Sequence, residues 1–311
     1  MAQSYDVIVI GGGSAGLTAG LFTVRYGHST LVIEQLMGGG QIINADKIEN
    51  YPGFPQGTTG FELGPLMQEQ AMDAGAEFLM AEATGISVEG SYNVVSTADG
   101  KYKAKAVIIA GGSSLKTLGI PGEKELTGKG VSHCATCDGP FFQDKMVGVV
   151  GGGDSSMDES LTLTEYASQV VLFHRRDTFR SQKVLQQRIL SNPKIMVRWN
   201  TVVEKIVGED RVTGVEVRDT VTGEQSHVEL SALFVQIGLS PNTLYLREAL
   251  SLDNAGHVPT DIWMATELPG VFAAGDVRQN SAAQVITVAG DGATAAISAH
   301  RYISGRQWAQ N

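Results

Sequence analysis

Short continuous apolar runs alternate along the chain with segments of helical spacing, and the first such pair stands at its start. Tyr5-Asp-Val-Ile-Val-Ile10 reads as a first core strand, and it runs directly into Gly11-Gly-Gly-Ser-Ala-Gly16. Leu17 to Tyr26 then carries apolar residues at helical spacing, and Ser29-Thr-Leu-Val-Ile-Glu34 reads as a second strand that ends in an acid. The same order returns 140 positions on: Lys145 to Val150 predicts a strand, Gly151-Gly-Gly-Asp-Ser-Ser156 a loop with Ser156 in place of the third glycine, and Gln169 to Phe173 another strand. Near the end, Leu268-Pro-Gly-Val-Phe-Ala-Ala-Gly-Asp276 reads as a buried strand delivering Asp276, and Gln284 to Tyr302 as a long helix. Strand, glycine loop and second strand, twice over, predict an α/β protein with two Rossmann-like halves.

The two loops imply two different nucleotides. In such a loop Gly11 allows the tight turn, Gly13 lets backbone approach a pyrophosphate, Gly16 permits close helix packing, and the helix start offers free N–H groups to the phosphates. Glu34 follows Gly16 by 18 residues, the spacing of a carboxylate that binds a ribose hydroxyl. His174 follows Ser156 by the same 18, but there the strand ends in His174-Arg175-Arg176, with Arg180 one helical turn later. A carboxylate favours a free 2′-hydroxyl, whereas guanidinium groups pair with a 2′-phosphate. The first site is therefore read as binding FAD and the second NADPH.

Both cysteines fall in Cys134-Ala-Thr-Cys137-Asp138, and the second glycine loop opens only fourteen residues after Cys137. This spacing brings two sulfurs into disulfide reach within one turn and favours the thiolate of the more exposed partner. Zinc needs four ligands, yet there is no second C-x-x-C pair, and His28, His133, His174, His227, His257 and His300 are scattered. A structural staple across so short a loop removes little chain entropy. Reversible oxidation is the natural use, a redox dithiol wired to dinucleotide chemistry.

The remaining composition narrows the setting. A length of 311 residues with 38 glycines fits about two globular domains rich in tight strand-to-helix turns. A net charge of -10 argues against nucleic acid and anionic membrane surfaces as partners. No apolar run approaches the roughly 18 residues of a membrane span, and a core strand starting at Tyr5 leaves no separate leader, so no signal peptide is expected. With both cysteines inside one motif, a reducing, cytoplasmic home is expected.

With these residues in place, the chain resembles the bacterial-type, low-molecular-weight thioredoxin reductases of the pyridine nucleotide-disulfide oxidoreductase family over essentially its whole length. The resemblance is carried by Gly11 to Gly16, Gly39-Gly-Gln-Ile42, Asn50-Tyr-Pro-Gly-Phe-Pro55, Ala110-Gly-Gly-Ser113, Cys134-Ala-Thr-Cys-Asp-Gly139, Gly151 to Ser156, His174-Arg-Arg-Asp-Thr-Phe-Arg180, Gly238-Leu-Ser-Pro-Asn242 and Gly275-Asp-Val277. It implies a discontinuous FAD-binding domain, 1–116 and 248–311, with an NADPH-binding domain, 117–247, inserted into it and carrying the dithiol. Gly11, Gly13, Ser14, Ala15, Gly16, Glu34, Gln35, Gln41, Asn50, Gly275 and Asp276 would line the FAD site, with Asp276 on the ribityl chain, Asn50 near the flavin ring and Gln284 at the flavin-facing start of the last helix. Gly151, Gly153, Asp154, Ser155, Ser156, His174, Arg175, Arg176 and Arg180 would hold NADPH.

The implied activity passes electrons from NADPH through FAD and the Cys134–Cys137 disulfide to oxidised thioredoxin, with Asp138 shuttling a proton. The resemblance further implies a homodimer through the FAD domains, and a rotation of the inserted domain about hinges near Leu115-Lys116-Thr117 and Gly238 to Asn242. Two positions depart from the family pattern: Ala283 stands where relatives usually place an arginine, and His133 where a tyrosine is common. Two other readings stay open at this point. One is a related flavin disulfide reductase using another donor, such as ferredoxin, or another disulfide partner. The other is a nucleotide-binding protein without turnover.

Overall fold

The computed structural model describes residues 3–36, 38–45 and 48–306. The chain opens with β1 (Gln3–Ile10), whose last four residues are all buried. Ile8 and Ile10 join one core while Val7 and Val9 join another, so this strand is covered on both faces, as a parallel strand requires. Next come α1 (Ser14–Arg25) and β2 (Thr30–Glu34), a 3-10 turn at Gly40–Asn44, and α2 (Gly60–Asp73). A capping box starts α2: Thr59 Oγ1 accepts from Glu62 N–H, and the Glu62 carboxylate accepts from Thr59 N–H. β3 (Glu77–Met80) is followed by the antiparallel meander β4 (Ala83–Glu89), β5 (Tyr92–Thr97) and β6 (Gly100–Ile109), which returns parallel to β1. The sheet order is β3-β2-β1-β6-β5-β4.

The chain leaves this sheet along β7 (Ser113–Leu115) and builds a second one. Its elements are β8 (Val131–Ser132), the one-turn helix α3 (Ala135–Asp138), β9 (Met146–Gly151), α4 (Asp154–Leu163), β10 (Gln169–Phe173), α5 (Lys183–Ser191) and β11 (Ile195–Arg198). β12 (Thr201–Gly208), β13 (Val212–Asp219) and β14 (Gln225–Glu229) form a separate antiparallel sheet before β15 (Ala232–Gln236). The order β11-β10-β9-β15-β8 is parallel throughout. Val171, Phe173, Leu233 and Val235 fill one core, and Val170, Leu172, Ala232 and Phe234 the other.

The return strand β16 (Leu239–Pro241) pairs with β7. β17 (Val271–Ala273) then adds to the first sheet beside β6, and α6 (Val285–Ile303) closes the chain. α6 turns Ala289, Gly292, Ala295, Ala296 and Ala299 inward, and these small residues let it lie close on α1. A Cβ at Gly292 would stand 2.1 Å from Ala15 O, so that crossing admits only glycine. Two compact units result, Met1–Ser114 with Ser240–Asn311, and Leu115–Leu239. Among the described residues, no helix is long and apolar enough to cross a membrane.

Candidate active site at two parallel sheet edges

In the first unit, the loops that follow β1, β2, β6 and β17 all leave the carboxyl edge of parallel strands, where open α/β sheets bind their ligands. Gly11–Gly13 lead into α1, which has no side-chain cap and no acidic residue in its first turn. A Cβ at Gly16 would stand 1.8 Å from Gly11 O, so only glycine lets the helix start against the turn. Ser14 is 4% exposed and its Oγ has no hydrogen-bond partner, while nothing nearer than Gly40 Cα, 3.9 Å away, crowds a Cβ built on Gly13. An uncapped helix start, a buried orphan hydroxyl and open space over the glycine together make an anion cradle. Glu34, at the end of β2, accepts from Gly12 N–H at 2.5 Å and from Leu36 N–H at 3.0 Å, so its carboxylate is fixed beside that loop.

The other residues read for this site come to the same edge. Gln41 Nε2 donates to Ser113 O at 3.1 Å, and Asn50 Nδ2 donates to Gln284 Oε1 at 3.0 Å, with Gln284 capping α6. Gln35 is exposed and Ala15 is buried under α6. Asp276 sits in the turn after β17, half-buried; burial raises its pKa above the ordinary aspartate value, the nearby Asp291 charge adds to the rise, and a hydrogen bond from Ser281 and the more distant His257 oppose it. Its turn is anchored from α6, because Asp291 accepts from Gly275 N–H at 3.2 Å and holds Arg278 through two contacts of 2.7 and 3.0 Å. Ala283 adopts a left-handed φ of 51° and leaves an exposed methyl just before the α6 cap.

The second unit repeats the arrangement. Gly153 caps α4 with backbone alone, and a Cβ there would meet nothing within 4 Å. Ser156, fully buried, fills the place of the third glycine by turning its Oγ back onto Gly153 O at 2.7 Å, while Ser155 stays exposed. Asp154, one of the residues read as a nucleotide ligand, is engaged by Gln182: its two oxygens accept from Gln182 N–H and Nε2, each at 2.8 Å. His174, read for the same site, lies against the glycine loop. It is 5% exposed, with Nδ1 2.7 Å from Gly151 O and Nε2 2.8 Å from Thr178 O, so the ring fastens the loop. Arg175, Arg176 and Arg180 are exposed on that loop, and the Oγ of Ser181 beside them is buried without a partner.

The dithiol stands at this same edge, with one strand between it and the strand that leads into the glycine loop. β8 delivers His133 and Cys134, and β15, which lies between β8 and β9, holds them: His133 Nδ1 lies 2.8 Å from Val235 O, and Gln236 Nε2 donates to His133 O at 2.8 Å. Cys134 and Cys137 are joined in a disulfide, with their Cα atoms 5.3 Å apart. Cys134 is half-buried and caps α3, its Sγ accepting from Cys137 N–H at 3.2 Å; Cys137 is exposed. Asp138 is half-buried and donates its N–H to Cys134 O at 3.1 Å. Beside it opens a cavity of about 710 Å³ lined by Lys129, Phe141, Phe142, Lys145 and Arg211 among others, with Phe141 80% exposed.

Two glycine-loop cradles and a disulfide within one chain decide its relationships. The profile of the pyridine nucleotide-disulphide oxidoreductases matches residues 5–293. The chain belongs to this family. It is 46% identical to the thioredoxin reductase of Treponema pallidum (strain Nichols) over 303 residues, covering 97% of this chain and 98% of that one. The crystal structure of Lactococcus lactis thioredoxin reductase superposes with a TM-score of 0.94 at 40% identity, covering 97% and 99% of the two chains. A ferredoxin-flavin thioredoxin reductase from Clostridium acetobutylicum is more distant, with a TM-score of 0.53 at 28% identity over 97% and 98%.

Several residues of this oxidoreductase's site have no signature in the sequence. Glu159 accepts from Ala135 N–H at 2.5 Å, joining α4 to the turn that carries the disulfide across 24 positions of chain. Arg278 and Asp291 pair across 13 positions, and Gln182 reaches back 28 to Asp154. No periodicity or motif spacing encodes such contacts; only the assembled sheet edges bring them together.

Proposed function

We propose that this oxidoreductase is an NADPH-dependent thioredoxin reductase, a flavoprotein that passes electrons from NADPH through FAD and the Cys134–Cys137 disulfide to oxidised thioredoxin. One observation carries the reading: the disulfide shares a sheet edge with a glycine loop and an exposed arginine cluster, in a chain that matches thioredoxin reductases over nearly its full length.

The residues fit both cofactors. In the unit 1–114 with 240–311, taken here as the FAD-binding domain, the orphan Ser14 hydroxyl and the uncapped start of α1 suit a diphosphate, the fixed Glu34 carboxylate suits ribose hydroxyls, and half-buried Asp276 suits a ribityl hydroxyl. In the unit 115–239, taken as the NADPH-binding domain, the backbone-capped start of α4 suits the second diphosphate, and Arg175, Arg176 and Arg180 suit the 2′-phosphate. Asp154 and His174 serve there by shaping the loops. When bound, NADPH supplies a hydride and FAD relays the electron pair to the disulfide.

The chain's own groups do the rest. Opening the disulfide places charge on a sulfur, and Cys134 Sγ already rests on the Cys137 N–H that steadies it. Cys137, the exposed sulfur, gives its proton to Asp138 and attacks the partner's disulfide as a thiolate; the mixed disulfide forms as the partner's S–S bond breaks and its other sulfur leaves as a thiolate. Asp138, next to Cys137 and half-buried, holds or returns the proton. Phe141 and the adjoining cavity, lined by apolar and charged side chains, offer a seat for a segment of thioredoxin. We read the enzyme as a cytoplasmic homodimer. Phe61 and Leu66 on α2, and Leu36 after β2, 71%, 52% and 73% exposed, support a partner surface on the FAD-binding unit.

An anaerobic titration with NADPH, and separately NADH, tests this by following flavin absorbance before and after oxidised thioredoxin is added. Bleaching by NADPH and recovery with thioredoxin is expected. Failure to bleach with either nucleotide points to another donor such as ferredoxin, and bleaching without recovery to another disulfide partner.

A further inference from the structure

The turn that carries the disulfide is gripped from below by a carboxylate. Ala135 is the first residue of α3, fully buried and directly after Cys134, and its N–H donates to Glu159 Oε2 at 2.5 Å. Two residues further along the same turn, Cys137 N–H donates to Cys134 Sγ at 3.2 Å. Sulfur and carboxylate therefore draw on neighbouring donors of one helical turn, and Glu159 is only half-buried from the second turn of α4. We infer that Glu159 is a positioning residue that keeps the Cys134–Cys137 couple reducing, through its negative charge at the foot of α3. The inference rests on the redox reading of this pair.

The physical reason is an imbalance between the two redox states. In the disulfide neither sulfur is charged, so the Glu159 carboxylate has nothing to repel. When the S–S bond breaks, two electrons enter; with one proton taken up, one sulfur becomes a thiol and the other a thiolate. That thiolate gains from the α3 N–H groups, but the negative charge of Glu159, held from α4, already lies against the same turn and raises its cost. The dithiol form is disfavoured relative to the disulfide, and electrons pass outward more readily. The other ionisable groups around the pair are His133 on the β8 side, Asp138 on α3, Asp158 next to Glu159 on α4, and Lys129, Lys145, Arg211 and Glu229 in the adjoining cavity. The substitutions below leave all of them in place.

The test equilibrates the holoenzyme anaerobically with graded mixtures of reduced and oxidised dithiothreitol, quenches with an alkylating reagent, and counts modified Cys134 and Cys137 by mass spectrometry. Dithiothreitol gives up two electrons as its two thiols close into a cyclic disulfide; of its two protons, one stays on the enzyme's thiol and the other goes to buffer. Glu159→Gln keeps an oxygen for the Ala135 N–H and removes only the charge. It is expected to shift the equilibrium about tenfold towards dithiol, a couple about 30 mV less negative, and to move the alkylation profile of the reduced pair to lower pH. An equilibrium and profile unchanged from wild type in Glu159→Gln, whatever Glu159→Ala does, overturns the inference and leaves Glu159 a mere fastener of α3. If Glu159→Ala does not fold, Glu159→Gln decides alone. Since dithiothreitol needs no pyridine nucleotide, a wild type that equilibrates with it yet ignores NADPH counts against the proposed electron donor and not against Glu159.

Discussion

Asp291→Ala is the substitution that most directly tests how α6 supports the Asp276 turn. The Asp291 carboxylate holds Arg278 at 2.7 and 3.0 Å and also accepts from Gly275 N–H at 3.2 Å, with the two side chains 10% and 17% exposed. Removing one partner of such a pair strands the other charge in a poorly solvated place, which costs about 3–5 kcal/mol. The unit that contains the pair has about 190 residues. At roughly 2.1 cal/mol/K of unfolding entropy per residue, its melting temperature should fall by roughly 8–13 °C. The assay is calorimetry of the flavin-free protein, beside the flavin-to-protein absorbance ratio of the protein as purified; flavin content should drop because the Gly275-Asp276 turn loses its anchor. Arg278→Met added to Asp291→Ala should recover much of the loss, since the stranded guanidinium is gone. A single substitution costing under about 1 kcal/mol, or a double mutant whose losses simply add, would refute this account of the pair.

Replacing Arg175 and Arg176 with alanine should raise the KM for NADPH about tenfold or more, the effect of losing charge-assisted contacts to a 2′-phosphate, while NADH use stays nearly unchanged; an equal loss for both nucleotides would sink the assignment of that loop. Asp276→Asn tests the raised pKa of Asp276 in the flavin-free protein. The native state holds this proton at pH values where the unfolded chain has already released it, so wild-type stability falls as pH rises from the ordinary aspartate value through the raised one. The stability difference between Asp276→Asn and wild type should accordingly move in the mutant's favour over that rise, and a difference that is flat with pH contradicts it.

The elements with local signals were legible in the sequence to within a few residues. The run Gln169 to Phe173 is β10 as it stands, and Gln284 to Tyr302 differs from α6 by one residue at each end, because a buried parallel strand and an amphipathic helix each announce themselves by period. The antiparallel strands β4 and β5, half exposed and short, carry no comparable pattern. β8 is two residues long and exists only because β15, a hundred positions on, offers it an edge. The chain divides at Ser114/Leu115 and Leu239/Ser240, so the return crossing lies ahead of residue 248, within the Gly238-Leu-Ser-Pro-Asn242 run. Position was legible at the site where direction was not. The matched offset located His174, but its buried ring turns both nitrogens to the carbonyls of Gly151 and Thr178, which no one-dimensional spacing encodes.

The repeated architecture separates what the two units share from what distinguishes them. Each sets a glycine loop at the carboxyl edge of a parallel sheet, and the end of the next strand then distinguishes them: Glu34 fixed on Gly12 in one, an arginine-bearing loop tied down by His174 in the other. The second unit adds one thing more, an edge strand that ends in the dithiol. With β15 alone between β8 and β9, and with His133, Val235, Gln236, Glu159 and Ala135 linking that edge to α4 and the sheet, the disulfide is built into the frame of the nucleotide loop. A substitution that loosens α4 should therefore disturb nucleotide binding and thiol chemistry together, whereas one at the exposed Arg175 or Arg176 should disturb the nucleotide alone. Measuring NADP⁺ affinity and the dithiothreitol equilibrium on the same variants separates the frame from the ligands it carries.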